Sequence, residues 1–285
     1  MVYKINVKEI PETFTVWSYI EAKTDITQYY NMQPKCDASD LIVLPNKFDV
    51  NRLTKAVEEA VEKFGPRGWL TKQGLSTGYS GLSLAMNPQY VEDVSPNYQT
   101  LGTERNEPNQ FFYNHTQNFE TLKNTYFDSL GFRIKPPCVL QTDLINIINE
   151  FKRSSIRSRV GVITSNWDEN RIKTGGWHRD EIVFQNLRIN IPIKTDPSYL
   201  FQILKKDPVY LSPGNLYSWD TNVPHRVFPT TVEPKTRIHV VFGFCPWFDY
   251  NEEEDTFVSN EFYGRVHPFD MLLEGHVHPQ IGFNC

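Results

Sequence analysis

The segment GGWHRDEIVFQNLRINIPIKTD, residues 175–196, places a His-x-Asp pair directly ahead of a strand-like run. His178 and Asp180 offer an imidazole nitrogen and a carboxylate oxygen, two ligands that divalent metals accept in proteins. The pair alone is weak evidence, because 7 histidines and 34 acidic residues in 285 positions give roughly 0.8 His-x-acid pairs by chance. The residues that follow it decide between a metal site and a polar loop.

Two later residues extend the pattern. His225 follows a proline-bearing turn in NVPHRVFP, and Arg237 lies in the strand-like run TRIHVVFGF. Two neutral imidazoles and one carboxylate on one face of a metal leave positions open, which suits a non-haem Fe(II) that must bind a co-substrate and O₂. The planar fork of an arginine can bind a carboxylate through two hydrogen bonds. The order therefore predicts a metal site followed by an anion site.

Four blocks in this order carry a family resemblance: WHRDE, LRINIPI, SPGNLYSWDTNVPHRVFP and TRIHVVFGFCPW. They resemble the Fe(II)/2-oxoglutarate-dependent oxygenases, above all the aspartyl/asparaginyl β-hydroxylase branch, with the free-standing proline hydroxylases as near relatives. The resemblance covers about residues 158–249, and the first 120 residues resemble no family. It implies a dioxygenase that hydroxylates an unactivated C–H bond and releases succinate and CO₂. Its cofactors would be Fe(II), 2-oxoglutarate as co-substrate, and O₂.

The same resemblance assigns the metal ligands and the co-substrate arginine. His178, Asp180 and His225 would bind iron, and Arg237 would bind the distal carboxylate of 2-oxoglutarate. The animal aspartyl hydroxylases lack the carboxylate ligand, so the presence of Asp180 moves this chain toward the bacterial and small-molecule members. A halogenase needs that position emptied for a halide, and Asp180 argues against one.

Further positions match less directly. Asn190 stands where relatives have a histidine near the other carboxylate of 2-oxoglutarate. Arg188 stands where they have an arginine that meets a carboxylate of the substrate, which suggests an amino acid or a peptide side chain. A hydroxyl donor to 2-oxoglutarate is expected from Thr164 or Ser165, just ahead of an apparent insertion, NWDENRIKTGG.

Other polar and aromatic residues have two interpretations. His239 could be an additional site residue or a core histidine bonded to a backbone carbonyl. Trp177 and Trp219 could line the pocket or fill the core. Glu181 would point to the other face of an extended chain than Asp180. The C-terminal GHVHP imitates a zinc site, but its spacing fits no standard finger; the residues concerned are His267, His276, His278 and Cys285.

Two alternatives to the oxygenase stay open. A cupin-like metalloenzyme on a similar barrel would bind metal but would give Arg237 no special role. A non-catalytic jelly-roll binding protein would carry a degenerate site. Metal binding without affinity for 2-oxoglutarate separates the first alternative from the oxygenase.

The elements that must position these residues are mostly strands. From residue 158 onward, short β-branched and aromatic runs alternate with turn residues, which is typical of an antiparallel sandwich or barrel. We therefore predict an α+β protein with a mainly β core, a double-stranded β-helix or jelly roll over residues 158–285 with a C-terminal extension. A partly helical region, residues 1–157, would pack on it and contribute to the substrate pocket. Helices are predicted at 49–65 and 142–154, and a loop at 87–120.

Strand alternation also predicts which side chains share a face. In LRINIPI, Arg188 and Asn190 lie on the face opposite to the leucine and isoleucines. In TRIHVVF, Arg237 and His239 share one face and the aliphatic residues the other. These polar faces would line a site or would contact water.

Composition narrows the range of partners. The 285 residues are 39% hydrophobic, with a net charge of −5 and a pI near 5.8, which suits a folded protein and disfavours a nucleic-acid partner. No run approaches the ~20 apolar residues of a membrane span, and the N-terminus lacks the apolar core of a secretory signal. The four cysteines are far apart, as in a reduced, cytoplasmic protein. The expected partner is a small-molecule or peptide substrate, and the oligomeric state is left open.

Overall fold

The computed structural model describes residues 1–36, 40–45, 48–70, 76–90, 128–164 and 176–282. Its strands form three antiparallel sheets, of seven, three and two strands. In sheet order the seven-stranded sheet is β2-β8-β6-β10-β5-β4-β3, the three-stranded one β1-β12-β11, and the two-stranded one β7-β9. The strands are β1 (Lys4–Asn6), β2 (Ile42–Leu44), β3 (Arg67–Leu70), β4 (Ser76–Ser83), β5 (Ser155–Ile163), β6 (Leu187–Lys194), β7 (Tyr199–Ile203), β8 (Leu216–Ser218), β9 (His225–Pro229), β10 (Arg237–Phe244), β11 (Phe248–Asn251) and β12 (Thr256–Ser259).

The helices of the described ranges are short apart from one. None of them is long and apolar enough to cross a lipid bilayer. The α-helices are α1 (Val16–Lys23), α2 (Val50–Phe64), α3 (Pro137–Leu140), α4 (Leu144–Asn149) and α5 (Pro268–Leu273), and 3₁₀ turns occur at Val7–Glu9, Ile26–Tyr29, Pro88–Tyr90 and Ser129–Gly131.

The helix predicted at 49–65 is confirmed as α2. Asp49 caps its N-terminus by accepting a hydrogen bond from the Arg52 amide at 2.9 Å, and Gly65 ends it at a φ of 70°. The helix predicted at 142–154 is shorter, at Leu144–Asn149. At its N-terminus, the carboxylate of Asp143 binds Arg52 of α2 rather than capping its own helix. At its C-terminus, the helix ends at Asn149, and the chain continues into β5.

One face of the seven-stranded sheet forms the main hydrophobic core. Fully buried aliphatic and aromatic side chains of β5, β6 and β10 belong to one cluster with the apolar stripe of α2. Phe151, just after α4, stacks on Phe244 of β10 with ring centroids 4.7 Å apart. Each Å² of apolar surface that is buried on this face stabilises the fold by about 25 cal/mol, and this burial is the main force that holds the helices on the sheet.

The opposite face of the sheet is polar and turns toward the β7–β9 pair. Arg237 of β10 and Tyr199 of β7 lie close enough that each shifts the pKa of the other. A large antiparallel sheet facing a smaller one confirms the predicted jelly roll with a mainly β core. The predicted polar faces are therefore interior faces, because their four polar residues are only 3% to 7% exposed: Arg188, Asn190, Arg237 and His239.

Residues before 157 also build the sheet. The strands β2, β3 and β4 extend it at both edges, and β1 pairs with β12 near the other end of the chain. The N-terminal region thus adds strands as well as helices to the core. Most of the loop predicted at 87–120 lies outside the described residues.

Candidate metal centre and anion site

The three predicted metal ligands are held together by backbone pairing. His178 and His225 exchange two backbone hydrogen bonds of 3.0 Å each, so the two segments meet as a short antiparallel bridge. Two residues further on, the Asp180 amide donates to the Thr221 carbonyl at 2.9 Å. The Thr221 hydroxyl donates in turn to the carbonyl of Glu181 at 2.8 Å. The turn before β9 is therefore clamped to the His-x-Asp segment on both sides of Asp180.

The ligand atoms of this triad converge on one point. Asp180 Oδ2 lies 3.9 Å from His178 Nε2 and 3.6 Å from His225 Nε2. The three ligand atoms all lie within 4.8 Å of one another. Two atoms that bind one ion at about 2.0–2.2 Å each can be at most about 4.4 Å apart. Both carboxylate–imidazole distances fall inside that limit, so the three side chains need only small shifts to hold an ion.

Each imidazole is oriented by its second ring nitrogen. His178 Nδ1 lies 2.9 Å from the Gly176 carbonyl, and His225 Nδ1 lies 2.9 Å from the Val223 carbonyl. A carbonyl only accepts, so both rings carry their proton on Nδ1 and present a lone pair at Nε2, as metal-binding histidines do. Burial and the neighbouring His225 lower the pKa of His178 to about 4, which keeps it neutral near pH 7.

Asp180 belongs to a buried chain of alternating charges. Arg188 donates to Asp180 and to Glu181, and Arg157 and the Ser129 hydroxyl also donate to Glu181. Burial alone would raise the pKa of Asp180, but the Arg188 guanidinium lowers it well below its usual range. The two arginines and two carboxylates leave the chain neutral, which reduces the cost of burying it.

A β-bulge brings Arg157 into this chain. A step of two residues along β10, from Val241 to Gly243, is matched by a step of three residues along β5, from Arg159 to Ile156. The strand β5 therefore carries one extra residue. Arg157 takes a φ of 39°, in the left-handed region that a non-glycine residue rarely adopts. Its side chain, 3% exposed, is directed to Glu181.

Arg188 therefore has two carboxylate partners inside the chain. The family resemblance predicts that Arg188 meets a substrate carboxylate; the structure shows its guanidinium against Asp180 and Glu181, and the substrate role stays a prediction. Glu181, which is 1% exposed, does not belong to the converging group of ligands among the described residues, and its carboxylate meets the same Arg188 guanidinium as Asp180.

Arg237 is in a contrasting environment. Its side chain is 4% exposed, and no carboxylate of the described ranges lies within ion-pair distance of it. Its Nη1 instead lies 2.8 Å from Nδ1 of His239, and burial lowers the pKa of the guanidinium. A buried cation without a counter-charge is costly unless an anion binds to it.

Three neighbouring side chains present unpaired donors on the same barrel interior. Asn190 Nδ2, Trp219 Nε1 and the Tyr199 hydroxyl are buried and have no hydrogen-bond partner among the described residues. Burial raises the pKa of Tyr199 to about 12 despite the opposing effect of Arg237, so this hydroxyl stays protonated. Of these donors, the Tyr199 hydroxyl lies near Arg237, Asn190 is opposite Val241 of β10, and Trp219 packs on His225. Such unpaired donors in an interior that also holds the Arg237 guanidinium fit a ligand rich in acceptors, such as a dicarboxylate.

The remaining predicted site residues lie around this interior. Trp219 is 7% exposed and packs on the ring of His225 at 5.5 Å, whereas Trp177 stacks under the Arg226 guanidinium at 4.5 Å. Thr164 is exposed, one residue beyond the end of β5. Ser165 lies outside the described residues.

The C-terminal histidines do not form a metal site in the part of the chain that the structure describes. There, His178, Asp180 and His225 are the group of three or more potential ligands whose atoms converge. His267 caps α5, His276 lies near Glu274, and His278 lies 3.8 Å from Glu150. Cys285 is outside the described residues.

Comparison with known proteins gives the fold context. No protein-family profile matches the sequence, and no curated protein matches it. A cupin domain from Bordetella pertussis is similar over 32% of this chain and 82% of its own, at 17% identity and a TM-score of 0.23. A 2OG-Fe(II) oxygenase family oxidoreductase from Burkholderia pseudomallei matches 40% of this chain and 48% of its own, at 13% identity and a TM-score of 0.24.

A third similar structure spans most of the chain. It is a prolyl hydroxylase from Trichoplax adhaerens in complex with a hypoxia inducible factor peptide, matched over 85% of this chain and 96% of its own, at 11% identity and a TM-score of 0.32. At these TM-scores the similarities carry no argument about activity. The functional argument rests on the residues of the site.

Sequence reasoning missed several residues of the site. Tyr199 is on a predicted strand, and its alternation with Phe201 and Ile203 could have placed it on an inward face. Nothing in the sequence pairs Glu181 with Arg157, because that contact depends on the bulge in β5.

Proposed function

We propose that the protein is an Fe(II)- and 2-oxoglutarate-dependent dioxygenase that hydroxylates an unactivated C–H bond of an amino acid or a peptide side chain. The observation that carries the proposal is the pairing of two sites on one barrel interior. One is the His178, Asp180 and His225 triad, and the other is the buried guanidinium of Arg237 without a carboxylate partner among the described residues.

The two sites lie toward opposite ends of β9. His225 begins β9, and Pro229 at its other end pairs with Tyr199, the neighbour of Arg237. Four residues of strand extend about 13 Å along the backbone. Side chains that reach inward from both ends shorten this span. A 2-oxoglutarate molecule that touches the metal at one end and Arg237 at the other is consistent with this arrangement.

The donor set fits the proposed metal. Two imidazoles and one carboxylate, with no thiolate nearby among the described residues, suit a non-haem Fe(II) site that leaves positions open. With 2-oxoglutarate and O₂, bound Fe(II) supplies the oxidation of a C–H bond to an alcohol while 2-oxoglutarate becomes succinate and CO₂. The protein supplies the binding, the orientation and a dry pocket.

The chain's own residues have distinct tasks in this proposal. Arg237 binds the distal carboxylate with two hydrogen bonds, and the Tyr199 hydroxyl and the Asn190 amide donate to the remaining oxygens. Trp219 covers His225 and keeps water away from the ligand atoms. Arg188 holds the Asp180 carboxylate ionised and in place.

An anaerobic titration tests the proposal. Metal-free protein is titrated with Fe(II) and then with 2-oxoglutarate, and the visible charge-transfer band of the iron chelate is followed. We expect one Fe(II) and one 2-oxoglutarate per chain, and succinate release once air is admitted with an amino acid or peptide substrate.

Two outcomes would contradict it. Tight metal binding with no chelate band would indicate a cupin-like metalloenzyme, for which Arg237 has no ligand of this kind. No metal binding at all would indicate a jelly-roll protein without this chemistry.

A further inference from the structure

His239 links the anion site to the N-terminal part of the sheet. It lies two residues after Arg237 on β10, so both side chains enter the barrel from the same face. Its Nδ1 lies 2.8 Å from Arg237 Nη1, and its Nε2 lies 3.1 Å from the hydroxyl of Tyr79 on β4. The ring is 6% exposed, so these side chains and not water are its partners.

The contact with Arg237 fixes the protonation of the ring. A guanidinium can only donate, so His239 Nδ1 must accept and carries no proton. The neutral ring then has its proton on Nε2 and donates to the Tyr79 oxygen. Burial, with the positive charges of Arg237 and Arg159, lowers the pKa of His239 well below its usual value, which agrees with a neutral ring.

This tautomer is the reverse of the one at the metal centre. His178 and His225 hold their proton on Nδ1 against backbone carbonyls and expose Nε2. His239 holds its proton on Nε2 and uses the Nδ1 lone pair for Arg237. The fold thus prepares two histidines to bind a cation directly and a third to hold a guanidinium.

The space around the ring is shaped to keep it there. Gly161 of β5 is opposite His239 in the strand register. A Cβ on Gly161 would lie 2.4 Å from His239 Cε1 and 2.7 Å from the Tyr79 hydroxyl oxygen. Real Cβ atoms do not approach this closely, so the ring and the hydroxyl occupy the place that a side chain at 161 would need.

We propose that His239 is a positioning residue for Arg237. Its Nδ1 holds one guanidinium nitrogen, so that the remaining N–H groups point to the place of the distal carboxylate, and Tyr79 holds the ring in turn. The inference rests on the proposed function, since it assumes that Arg237 binds that carboxylate. Preorganisation of this kind raises affinity because less rotamer freedom is lost on binding.

Two separate amide substitutions at position 239 test which ring nitrogen holds Arg237. In His239→Asn the short amide places an acceptor where Nδ1 was, and in His239→Gln the longer amide reaches the Nε2 position. We expect His239→Asn to bind 2-oxoglutarate nearly as the wild type does in the anaerobic Fe(II) titration. We expect His239→Gln and His239→Phe to bind 2-oxoglutarate about tenfold more weakly, with Fe(II) affinity unchanged. A tenfold loss is about the effect of losing one hydrogen bond to a charged group.

A second readout needs no metal and no activity. Long-range ¹H–¹⁵N correlation spectra of the metal-free protein report which ring nitrogen carries the proton. His267 and His278 also accept backbone N–H donors at Nδ1, so their rings carry the proton on Nε2 as well. The ring signal that disappears in His239→Asn is that of His239, and we expect it to be a neutral Nε2–H ring near pH 7. An Nδ1–H ring or a charged ring at position 239 would overturn the proposal.

The outcomes separate this inference from the proposed function. If Arg237→Ala loses 2-oxoglutarate affinity while the Gln and Phe variants at 239 keep it, His239 does not position Arg237 and the oxygenase proposal stands. If Arg237→Ala also keeps its affinity, both fail. Should the Phe variant not fold, the Asn and Gln pair still decides, because the two amides differ only in where they place the acceptor.

Discussion

Arg188 and Arg237 lie on the same face of the seven-stranded sheet, and their side chains are 3% and 4% exposed. Arg188 is bracketed by Asp180 and Glu181. Arg237 contacts the neutral His239 and has no carboxylate partner in the described ranges. The charge of the first is balanced by two carboxylates, whereas the second has no carboxylate partner among the described residues, and we propose that a bound anion balances it. Burial alone therefore does not identify a ligand-binding arginine; the partners do.

The largest effect is expected at the carboxylate that Arg188 holds. Asp180→Ala removes a metal ligand and leaves the Arg188 charge facing two imidazoles, so Fe(II) binding should weaken at least about 100-fold and hydroxylation should be lost. Competition with a chelating metal indicator measures the affinity. Asp220→Asn, in the turn before His225, is the matched control and should keep both properties; normal turnover by Asp180→Ala would remove the ligand assignment.

The stability of the ligand-free protein should distinguish the two arginines. Arg188→Met leaves two buried carboxylates with fewer partners, so we expect a loss of about 3–5 kcal/mol in the free energy of unfolding. Arg237→Met removes a buried charge that has no carboxylate partner among the described residues, so it should be neutral or should stabilise by about 1–2 kcal/mol. Urea denaturation of both metal-free variants measures this. Equal losses would mean that Arg237 is balanced within the chain after all.

Ligand affinity should show the reverse order. Arg237→Lys keeps the charge but loses the planar fork, so 2-oxoglutarate should bind roughly 100-fold more weakly, about 3 kcal/mol, while Fe(II) affinity is unchanged. The chelate band in an anaerobic titration gives the dissociation constant. A lysine variant with wild-type affinity would show that a point charge suffices and that the fork has no role.

The smallest effect is expected at Tyr199. Tyr199→Phe removes one neutral donor, so 2-oxoglutarate affinity should fall by about three- to tenfold, or 0.5–1.5 kcal/mol. Tyr217→Phe is the control, because its hydroxyl already bonds the Ser212 amide at 2.9 Å and should not reach the ligand. Equal losses in both variants would point to general softening of the barrel.

Much of this comparison was accessible from sequence. The alternation in LRINIPI and TRIHVVF placed Arg188 with Asn190 and Arg237 with His239 on shared faces, which the structure shows to be buried, and the hydrophobic stripe of residues 50–64 identified the main helix. These features depend on local periodicity, which a sequence displays directly. The His-x-Asp pair and His225 were likewise identified from the sequence, and their ligand atoms lie within 4.8 Å of one another.

The partners of those residues were not accessible in the same way. Glu181 reaches Arg157 because β5 carries a bulge, and Tyr79 reaches His239 because β4 pairs with β5. Such contacts are set by the register between strands that are far apart in the chain. The local periodicity of each strand does not show which residues of a distant strand it pairs with. The distinction between the two arginines therefore emerged only from the packed structure.

The most direct test is a crystal structure of the protein with Mn(II) as an inert substitute for Fe(II) and with 2-oxoglutarate. The account predicts the metal on His178, Asp180 and His225, with the distal carboxylate paired to Arg237 and with Arg188 still bound to Asp180. A metal elsewhere, or a 2-oxoglutarate carboxylate seated on Arg188 with Arg237 left empty, would contradict it.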